Sequence, residues 1–146
     1  MSTPPLTGGC HCGRVTFTYA GPVNMQYICH CSDCRRINGT AWHAGLLIES
    51  AQFEYNGEVA EYTVTADSGR PLTRSFCPVC GSQLWSTTSR GAEFLSLKAG
   101  VLDDQSVFSP GTEIWADSKA PWAFPTDIEQ SYPQGTNSGA AKGHAS

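Results

Sequence analysis

The alternation of apolar and polar residues predicts a chain built from short β-strands. The clearest case is residues 13–19, where Val15, Phe17 and Tyr19 fall on one face and polar residues fall on the other. Further strands are predicted at residues 25–28, 40–48, 52–55, 61–64, 72–76, 83–86, 94–98 and 113–115. Because Gly, Pro and Asp turns separate these segments, the pattern predicts a mainly β fold.

Helical periodicity is nowhere sustained along the chain, so we expect helix only as a single turn. That turn is predicted at residues 33–37 and ends at Asn38 and Gly39. A length of 146 residues is that of one domain, which we place at residues 1–133. Residues 134–146 are rich in Gly, Ser, Asn and Ala and contain no Phe, Trp or Tyr, which predicts a flexible C-terminal tail.

The charge and hydropathy of the chain exclude several classes of partner. A net charge of -4 argues against nucleic-acid binding, which needs clustered Lys and Arg. No run of eighteen apolar residues is present, so we expect no membrane span. The N-terminus lacks the features of a signal peptide, so we expect a cytoplasmic protein whose cysteines stay reduced or bind metal. Seven cysteines is also an odd number, which a disulfide framework would not fully use.

The cysteines fall into three groups with the spacing of metal ligands. The groups are Cys10-His11-Cys12, Cys29-His30-Cys31-Ser32-Asp33-Cys34 and Cys77-Pro78-Val79-Cys80-Gly81. In the second group, alternate residues of a strand would aim the Cys29 and Cys31 sulfurs at one point. A tight turn at Ser32-Asp33 would then bring Cys34 to the same point. Soft thiolate donors in this density favour zinc in tetrahedral geometry.

Two divisions of the cysteines remain open from spacing. In the first, the knuckle at residues 77–81 shares a structural zinc with Cys10 and Cys12, which leaves Cys29, Cys31 and Cys34 for a zinc with an open fourth position. In the second, the knuckle takes two ligands from the Cys29–Cys31–Cys34 group. The alternative without metal is a set of buried core thiols.

The histidines are weaker metal-ligand candidates than the thiols. His11 and His30 each occupy the middle of a Cys-x-Cys motif, where the side chain points away from the ligand face, so we expect supporting or exposed roles. His43 lies on a predicted strand, where it could complete the metal coordination, act as an acid–base group or be a hydrogen-bonded strand histidine. His144 lies in the predicted tail and is not assigned a role.

The ordered motifs resemble those of a known family. They are Gly-Gly-Cys-His-Cys-Gly at 8–13, Cys-His-Cys-Ser-Asp-Cys-Arg-Arg at 29–36, Phe-Cys-Pro-Val-Cys-Gly at 76–81, Lys-Ala-Gly-Val-Leu-Asp-Asp at 98–104 and Ser-Lys-Ala-Pro-Trp at 118–122. Over residues 8–132 the chain resembles the glutathione-dependent formaldehyde-activating enzyme family, also called the CENP-V/GFA domain. The resemblance implies an Mss4-like β fold with two zinc ions. It implies Cys10, Cys12, Cys77 and Cys80 for structural zinc and Cys29, Cys31 and Cys34 for catalytic zinc.

The activity that the resemblance implies is a carbon–sulfur lyase reaction. Family chemistry joins glutathione and formaldehyde to give S-hydroxymethylglutathione. Carboxylates of glutathione need cationic partners, and Arg35 and Arg36 are the nearest in sequence to the predicted catalytic zinc. Further candidates are Arg14, Arg70, Arg74 and Lys98. The competing hypotheses are a non-catalytic thiol carrier or protein-interaction module, and a thiol redox protein.

Overall fold

The computed structural model describes residues 4–136 and has a mainly β fold, as the sequence pattern predicts. The strands are β1 Leu6–Gly9, β2 Thr16–Tyr19, β3 Val23–Cys29, β4 His43–Glu49, β5 Phe53–Asn56, β6 Ala60–Thr65, β7 Pro71–Phe76, β8 Gln83–Thr88, β9 Gly91–Lys98 and β10 Thr112–Ile114. The α-helix is α1 Ser32–Asn38, and 3-10 turns occur at Ser50–Gln52, Ala99–Val101, Gln105–Val107 and Ala116–Ser118.

The strands form two sheets. The smaller sheet has the order β1-β2-β5, and the larger has the order β10-β3-β4-β9-β8-β7-β6. Neighbouring strands are antiparallel except β10, which pairs with β3 in parallel. The parallel pair is possible because the long connection after β9 returns the chain to the far edge of the larger sheet.

The main core lies between the two sheets. Alternation along β2 buries Phe17 and Tyr19 and exposes Thr16 and Thr18, as predicted. The facing surface of the larger sheet supplies Leu46, Leu97 and Trp85, which are cross-strand neighbours in β4, β9 and β8 and belong to the same buried cluster. Burial of these apolar side chains is the main stabilising contribution to the fold.

The opposite face of the larger sheet is more polar. Tyr27, Gly45 and Lys98 are directly opposite one another in β3, β4 and β9. Residues opposite one another in a sheet share a face, and so do alternate residues of a strand. Cys29 and its partner His43 therefore lie on the same face as Lys98.

Several predicted element boundaries differ in the structure. The strand predicted at 13–19 begins only at Thr16, because the preceding turn has Gly13 at φ 82°. The strand predicted at 40–48 begins at His43, and β1 was not predicted from the pattern. At the far edge, β10 ends at Ile114 because Trp115 adopts the left-handed conformation with φ 57°.

The C-terminal region is described only as far as residue 136, so residues 137–146 of the predicted tail lie outside the described part of the chain. Among residues 4–136, no helix is long and apolar enough to cross a membrane.

Candidate metal centres and the adjoining polar network

The first candidate metal centre brings together two pairs of cysteines that are far apart in the sequence, with a separation of 65 residues between Cys12 and Cys77. We call it the four-cysteine cluster, and its ligand atoms lie within 4.8 Å of one another: Cys10, Cys12, Cys77 and Cys80. The Cys10 and Cys12 sulfurs are 3.6 Å apart, and those of Cys12 and Cys77 are 3.8 Å apart. These separations are too long for a disulfide, whose sulfurs lie about 2.05 Å apart. The cluster could hold a metal ion.

Backbone N–H groups already point at the sulfurs of this cluster. Val15 N–H donates to Cys10 Sγ at 3.2 Å. The N–H groups of Val79 and Cys80 donate to Cys77 Sγ at 3.4 and 3.5 Å. Such bonds stabilise the thiolate form over the thiol, which is the form that binds metal.

The second candidate metal centre is the three-cysteine cluster, with ligand atoms also within 4.8 Å of one another: Cys29, Cys31 and Cys34. Cys29 ends β3, and Cys31 is the N-cap of α1, where its sulfur accepts the Cys34 N–H at 3.3 Å. The first turn of α1 therefore returns Cys34 to the other two sulfurs. The tight turn predicted at Ser32-Asp33 is the start of this helix.

Hydrogen bonds inside the three-cysteine cluster shift the pKa values of its thiols in opposite directions. The pKa of Cys31 is lowered because the Cys29 thiol, and then the Cys34 thiol, donate to its sulfur. The pKa of Cys34 is raised, because its thiol donates to Cys29 and to Cys31. Three thiolates this close together repel one another, so full ionisation requires a bound cation.

Among the described residues, no fourth ligand joins the three-cysteine cluster. His43, which the sequence left open as a ligand, has both ring nitrogens engaged elsewhere. Lys98 Nζ donates to His43 Nδ1 at 2.8 Å. Because lysine can only donate, Nδ1 is the acceptor and Nε2 carries the proton. His43 Nε2 then donates to Ser96 Oγ at 2.9 Å and to Tyr27 Oη at 3.2 Å.

We call these four residues the polar network: Tyr27, His43, Ser96 and Lys98. Burial, together with the charge on Lys98, lowers the pKa of His43 to about 3, so the imidazole is neutral. Burial also lowers the pKa of Lys98 to about 8, although the negative charges of the three-cysteine cluster act in the opposite direction. Lys98 therefore remains protonated at neutral pH. Tyr27 and Ser96 are hydrogen-bonded to each other as well.

The histidines between the cysteines have different environments. His11 is exposed, whereas His30 is fully buried. His30 Nε2 donates to a Glu113 carboxylate oxygen at 3.2 Å, and Lys119 pairs with the other oxygen at 3.2 Å. The His30 ring also makes edge contacts with Trp42 and Phe124. His30 therefore ties the cysteine-bearing segment to β10 and the chain that follows it.

Arg35 and Arg36, the sequence candidates for substrate binding, lie in the last turn of α1. Arg35 is half-buried and Arg36 is exposed. Neither makes an ion pair with the described part of the chain. The sequence did not predict the contacts of the polar network, although it gave His43 and Lys98 as separate candidates. The alternation of Ser96 and Lys98 along a predicted strand was the signal that places polar groups on one sheet face.

The match to a family model extends over most of these features. Residues 5–118 match the model of the glutathione-dependent formaldehyde-activating enzyme. The chain belongs to this family. The match includes both cysteine clusters and the polar network, so the proposed resemblance is confirmed.

One relative and one solved structure are similar to this chain. The chain is 28% identical over 137 residues to a putative glutathione-dependent formaldehyde-activating enzyme of Halomonas elongata, covering 86% of this chain and 83% of the relative. Its fold is similar to the crystal structure of a Rhodobacter sphaeroides protein, with a TM-score of 0.58 and 17% identity over 73% of this chain and 98% of the other.

Proposed function

We propose that this protein is a zinc-dependent carbon–sulfur lyase that forms and cleaves adducts of a small thiol with an aldehyde. Glutathione is the thiol and formaldehyde the aldehyde that the family assignment favours. The observation that carries the proposal is a cluster of three cysteines beside a buried polar network, with no fourth protein ligand among residues 4–136.

The donor sets of both clusters fit zinc. Four sulfurs bound to zinc at about 2.3 Å in tetrahedral geometry lie about 3.8 Å apart. The observed 3.6 and 3.8 Å separations in the four-cysteine cluster are close to this value. A closed set of four cysteines is typical of structural zinc, and a set of three leaves room for an exogenous ligand. We therefore assign structural zinc to the four-cysteine cluster and catalytic zinc to the three-cysteine cluster.

The three-cysteine cluster suits thiol chemistry. When bound, zinc supplies a soft Lewis acid that lowers the pKa of a thiol and favours the nucleophilic thiolate. Cys29 is at the end of β3, Cys31 is the N-cap of α1 and Cys34 is in its first turn, so a strand and a helix hold all three. The two sulfurs of intermediate burial, those of Cys31 and Cys34, lie on the side that solvent reaches.

The reaction is an addition to a carbonyl. The thiol releases its proton to water, and the thiolate sulfur forms a bond to the carbonyl carbon as the π electron pair moves to the oxygen. That oxygen takes up a proton from water, so the reaction is proton-neutral overall. The reverse reaction breaks the carbon–sulfur bond and releases the aldehyde. Positioning of thiol and aldehyde beside one another lowers the barrier in both directions.

A non-catalytic zinc module is the alternative. It would require a fourth protein ligand that closes the three-cysteine cluster. His43 does not provide this ligand in the structure, because Lys98 and Ser96 occupy its two ring nitrogens. The arrangement therefore favours the enzyme over the sealed module.

Zinc stoichiometry combined with calorimetric titration of glutathione tests the proposed function. We expect two zinc ions in the native protein and one in Cys31→Ser, with glutathione binding lost together with the second zinc. The purified native protein is expected to accelerate the formation of S-hydroxymethylglutathione above the uncatalysed rate, and Cys31→Ser is not. One zinc throughout, or glutathione binding that is indifferent to Cys31→Ser, would contradict the assignment.

A further inference from the structure

Two cations on the polar face of the larger sheet lack a carboxylate partner. The ion pairs within residues 4–136 are those of Glu113 with His30 and Lys119. Lys98 has no acidic partner, and its one hydrogen bond is to neutral His43. Arg74 is half-buried and makes no side-chain hydrogen bond or ion pair with the described chain. Two partly desolvated cations without a carboxylate partner are unfavourable, and a bound carboxylate would relieve this cost.

The strand register places both cations on the face that carries the three-cysteine cluster. Arg74 is opposite Ser86, and Ser86 is opposite Ser96. Lys98 lies two residues beyond Ser96 along β9, so it shares the same face. Arg74, Ser86, Ser96 and Lys98 therefore form one polar surface, which continues across Gly45 to Tyr27 and Cys29.

The charges of the two cations act on the same groups. Arg74 contributes to the lowered pKa values of both His43 and Lys98, as expected for a like charge nearby. The three thiols act in the opposite direction on Lys98. Lys98 therefore lies close enough to both the thiols and Arg74 for their charges to act on it.

The polar network fixes the direction of Lys98. Lys98 is opposite Gly45 of β4, yet its ammonium reaches His43, two residues before Gly45 in the same strand. His43 is at the end of β4 that pairs with Cys29 of β3. His43 accepts this bond at Nδ1 because its proton is on Nε2, where Ser96 Oγ and Tyr27 Oη accept the hydrogen bond from the ring N–H. Gly45 provides the space, since a Cβ there would lie 2.2 Å from His43 Nε2. Four residues are thus arranged so that a lysine ammonium is held beside the thiols.

We propose that Lys98 and Arg74 bind a carboxylate of the substrate thiol and make the enzyme selective for acidic thiols. The inference rests on the proposed function, because it takes the sulfur of the same ligand to lie at the three-cysteine cluster. It assigns carboxylate recognition to the sheet face in place of Arg35 and Arg36 at the end of α1.

The dimensions suit a small peptide thiol. The Lys98 ammonium lies 2.8 Å from His43 Nδ1, and His43 is the cross-strand partner of Cys29, with about 5 Å between such partners. A tripeptide spans about 10 Å when extended, so its sulfur and a terminal carboxylate can reach the two positions together. Cysteamine-like thiols without a carboxylate would leave both cations without an anion.

The test compares glutathione with its dimethyl ester, in which both carboxylates are neutral. Calorimetric titrations at pH 7 would measure the dissociation constants of both thiols for the zinc-loaded native protein. We expect glutathione to bind about 10-fold more tightly than the ester or better, the size of effect given by charge-assisted hydrogen bonds. In Lys98→Met the ratio should fall to about 2 or less, and in Arg74→Gln it should fall part of the way.

Matched variants separate this role from general effects. Arg70→Gln removes the same charge from an exposed position shortly before β7 and should keep the native ratio. Lys98→Arg keeps the cation and should restore much of the ratio that Lys98→Met loses. Zinc content and circular dichroism, measured on every variant, establish that the fold and both metal ions are retained; if Lys98→Met loses them, Arg74→Gln alone decides.

Three outcomes would overturn the inference, and each has a distinct meaning. Equal binding of glutathione and its ester by the native protein overturns carboxylate recognition and leaves the proposed function standing. A ratio that is lost in Arg36→Gln but kept in Lys98→Met and Arg74→Gln assigns recognition to α1. Failure of both thiols to bind the native protein overturns the proposed function and the inference together.

Discussion

At the scale of single residues, His43 shows how contacts decide the role of a titratable group. Its side chain lies beside the three-cysteine cluster, where a histidine could be a ligand. Lys98 instead occupies Nδ1, and Ser96 and Tyr27 occupy Nε2. The ring is 4% exposed, so protonation would bury a second positive charge next to Lys98.

We therefore expect His43 to stay neutral, with its proton on Nε2, even at pH values well below the ordinary pKa of histidine. The pKa is lowered to about 3, so the folded state does not take up this proton at pH 5.5. The unfolded chain protonates the same ring below about pH 6.5, and this residue therefore lowers stability as the pH falls from about 6.5 toward 3. Nitrogen-15 chemical shifts of the ring report both points. A shift of His43 to the imidazolium value at pH 5.5 would contradict the prediction.

Gly45→Ala tests the space on which the polar network depends. The new Cβ would lie 2.2 Å from His43 Nε2 and 3.0 Å from Ser96 Oγ, so the ring must move. Overpacking of this kind costs about 1–3 kcal/mol in the free energy of unfolding. Urea denaturation measures the change, with Gly100→Ala as control, because nothing lies within 4 Å of a Cβ at that position. Equal stability of the two variants would show that the network adapts without cost.

At the scale of elements, the candidate metal ligands lie in short turns and at the ends of strands and of the helix. α1 has seven residues, and its N-cap is itself a candidate ligand, Cys31. At its other end Gly39 has φ 67° and donates its N–H to the Arg35 carbonyl at 2.9 Å, so the helix ends where the sequence predicts. In the knuckle, Gly81 has φ 80° and donates its N–H to the Cys77 carbonyl. The N–H groups of Val79 and Cys80 donate to the sulfur of Cys77.

Gly39→Ala is expected to destabilise the end of α1. A residue with a Cβ costs about 1 kcal/mol more than glycine in the left-handed conformation. Urea denaturation should show a loss of about that size, and Gly135→Ala, where φ is not positive and no atom lies near a Cβ, should show little change. A loss in Gly39→Ala no larger than in this control would mean that the helix end rearranges freely.

At the scale of the whole molecule, the two clusters differ in what they connect. The four-cysteine cluster joins Cys12, which follows a strand of the smaller sheet, to Cys77 at the end of a strand of the larger sheet. The three-cysteine cluster instead joins residues of one continuous segment, 29–34. A metal ion that closes the long loop stabilises the whole fold, and one that closes the short loop has a local effect.

Cys12→Ser should therefore destabilise the protein far more than Cys31→Ser, although each substitution removes one ligand of a proposed zinc ion. We expect the midpoint of thermal unfolding to fall by about 10 °C or more in Cys12→Ser and by only a few degrees in Cys31→Ser. Differential scanning calorimetry with zinc analysis measures both. Similar midpoints for the two variants would argue against a structural role for the four-cysteine cluster.

Local sequence determined a large part of this architecture. Alternation along residues 15–19 predicts the buried face of β2. The spacing of the cysteines predicts three groups of metal ligands, because neighbouring ligands need only a strand or a tight turn between them, but it left open which groups share one ion. The limits of β2 and β10 were missed, since turn geometry at Gly13 and Trp115 sets the boundaries more strongly than strand propensity does.

The tertiary structure alone decided which distant groups meet. Period-two alternation places Ser96 and Lys98 on one face of β9 but does not state which strand lies beside it, and only the order β3-β4-β9 brings Lys98 to His43. The burial of His30 against Glu113, 83 residues away, likewise depends on the parallel pairing of β10 with β3. The sequence by itself determined the donor atoms and the strand faces, because these follow from covalent spacing. Strand order determined the surroundings of those donors, because burial and charge depend on residues far apart in the chain.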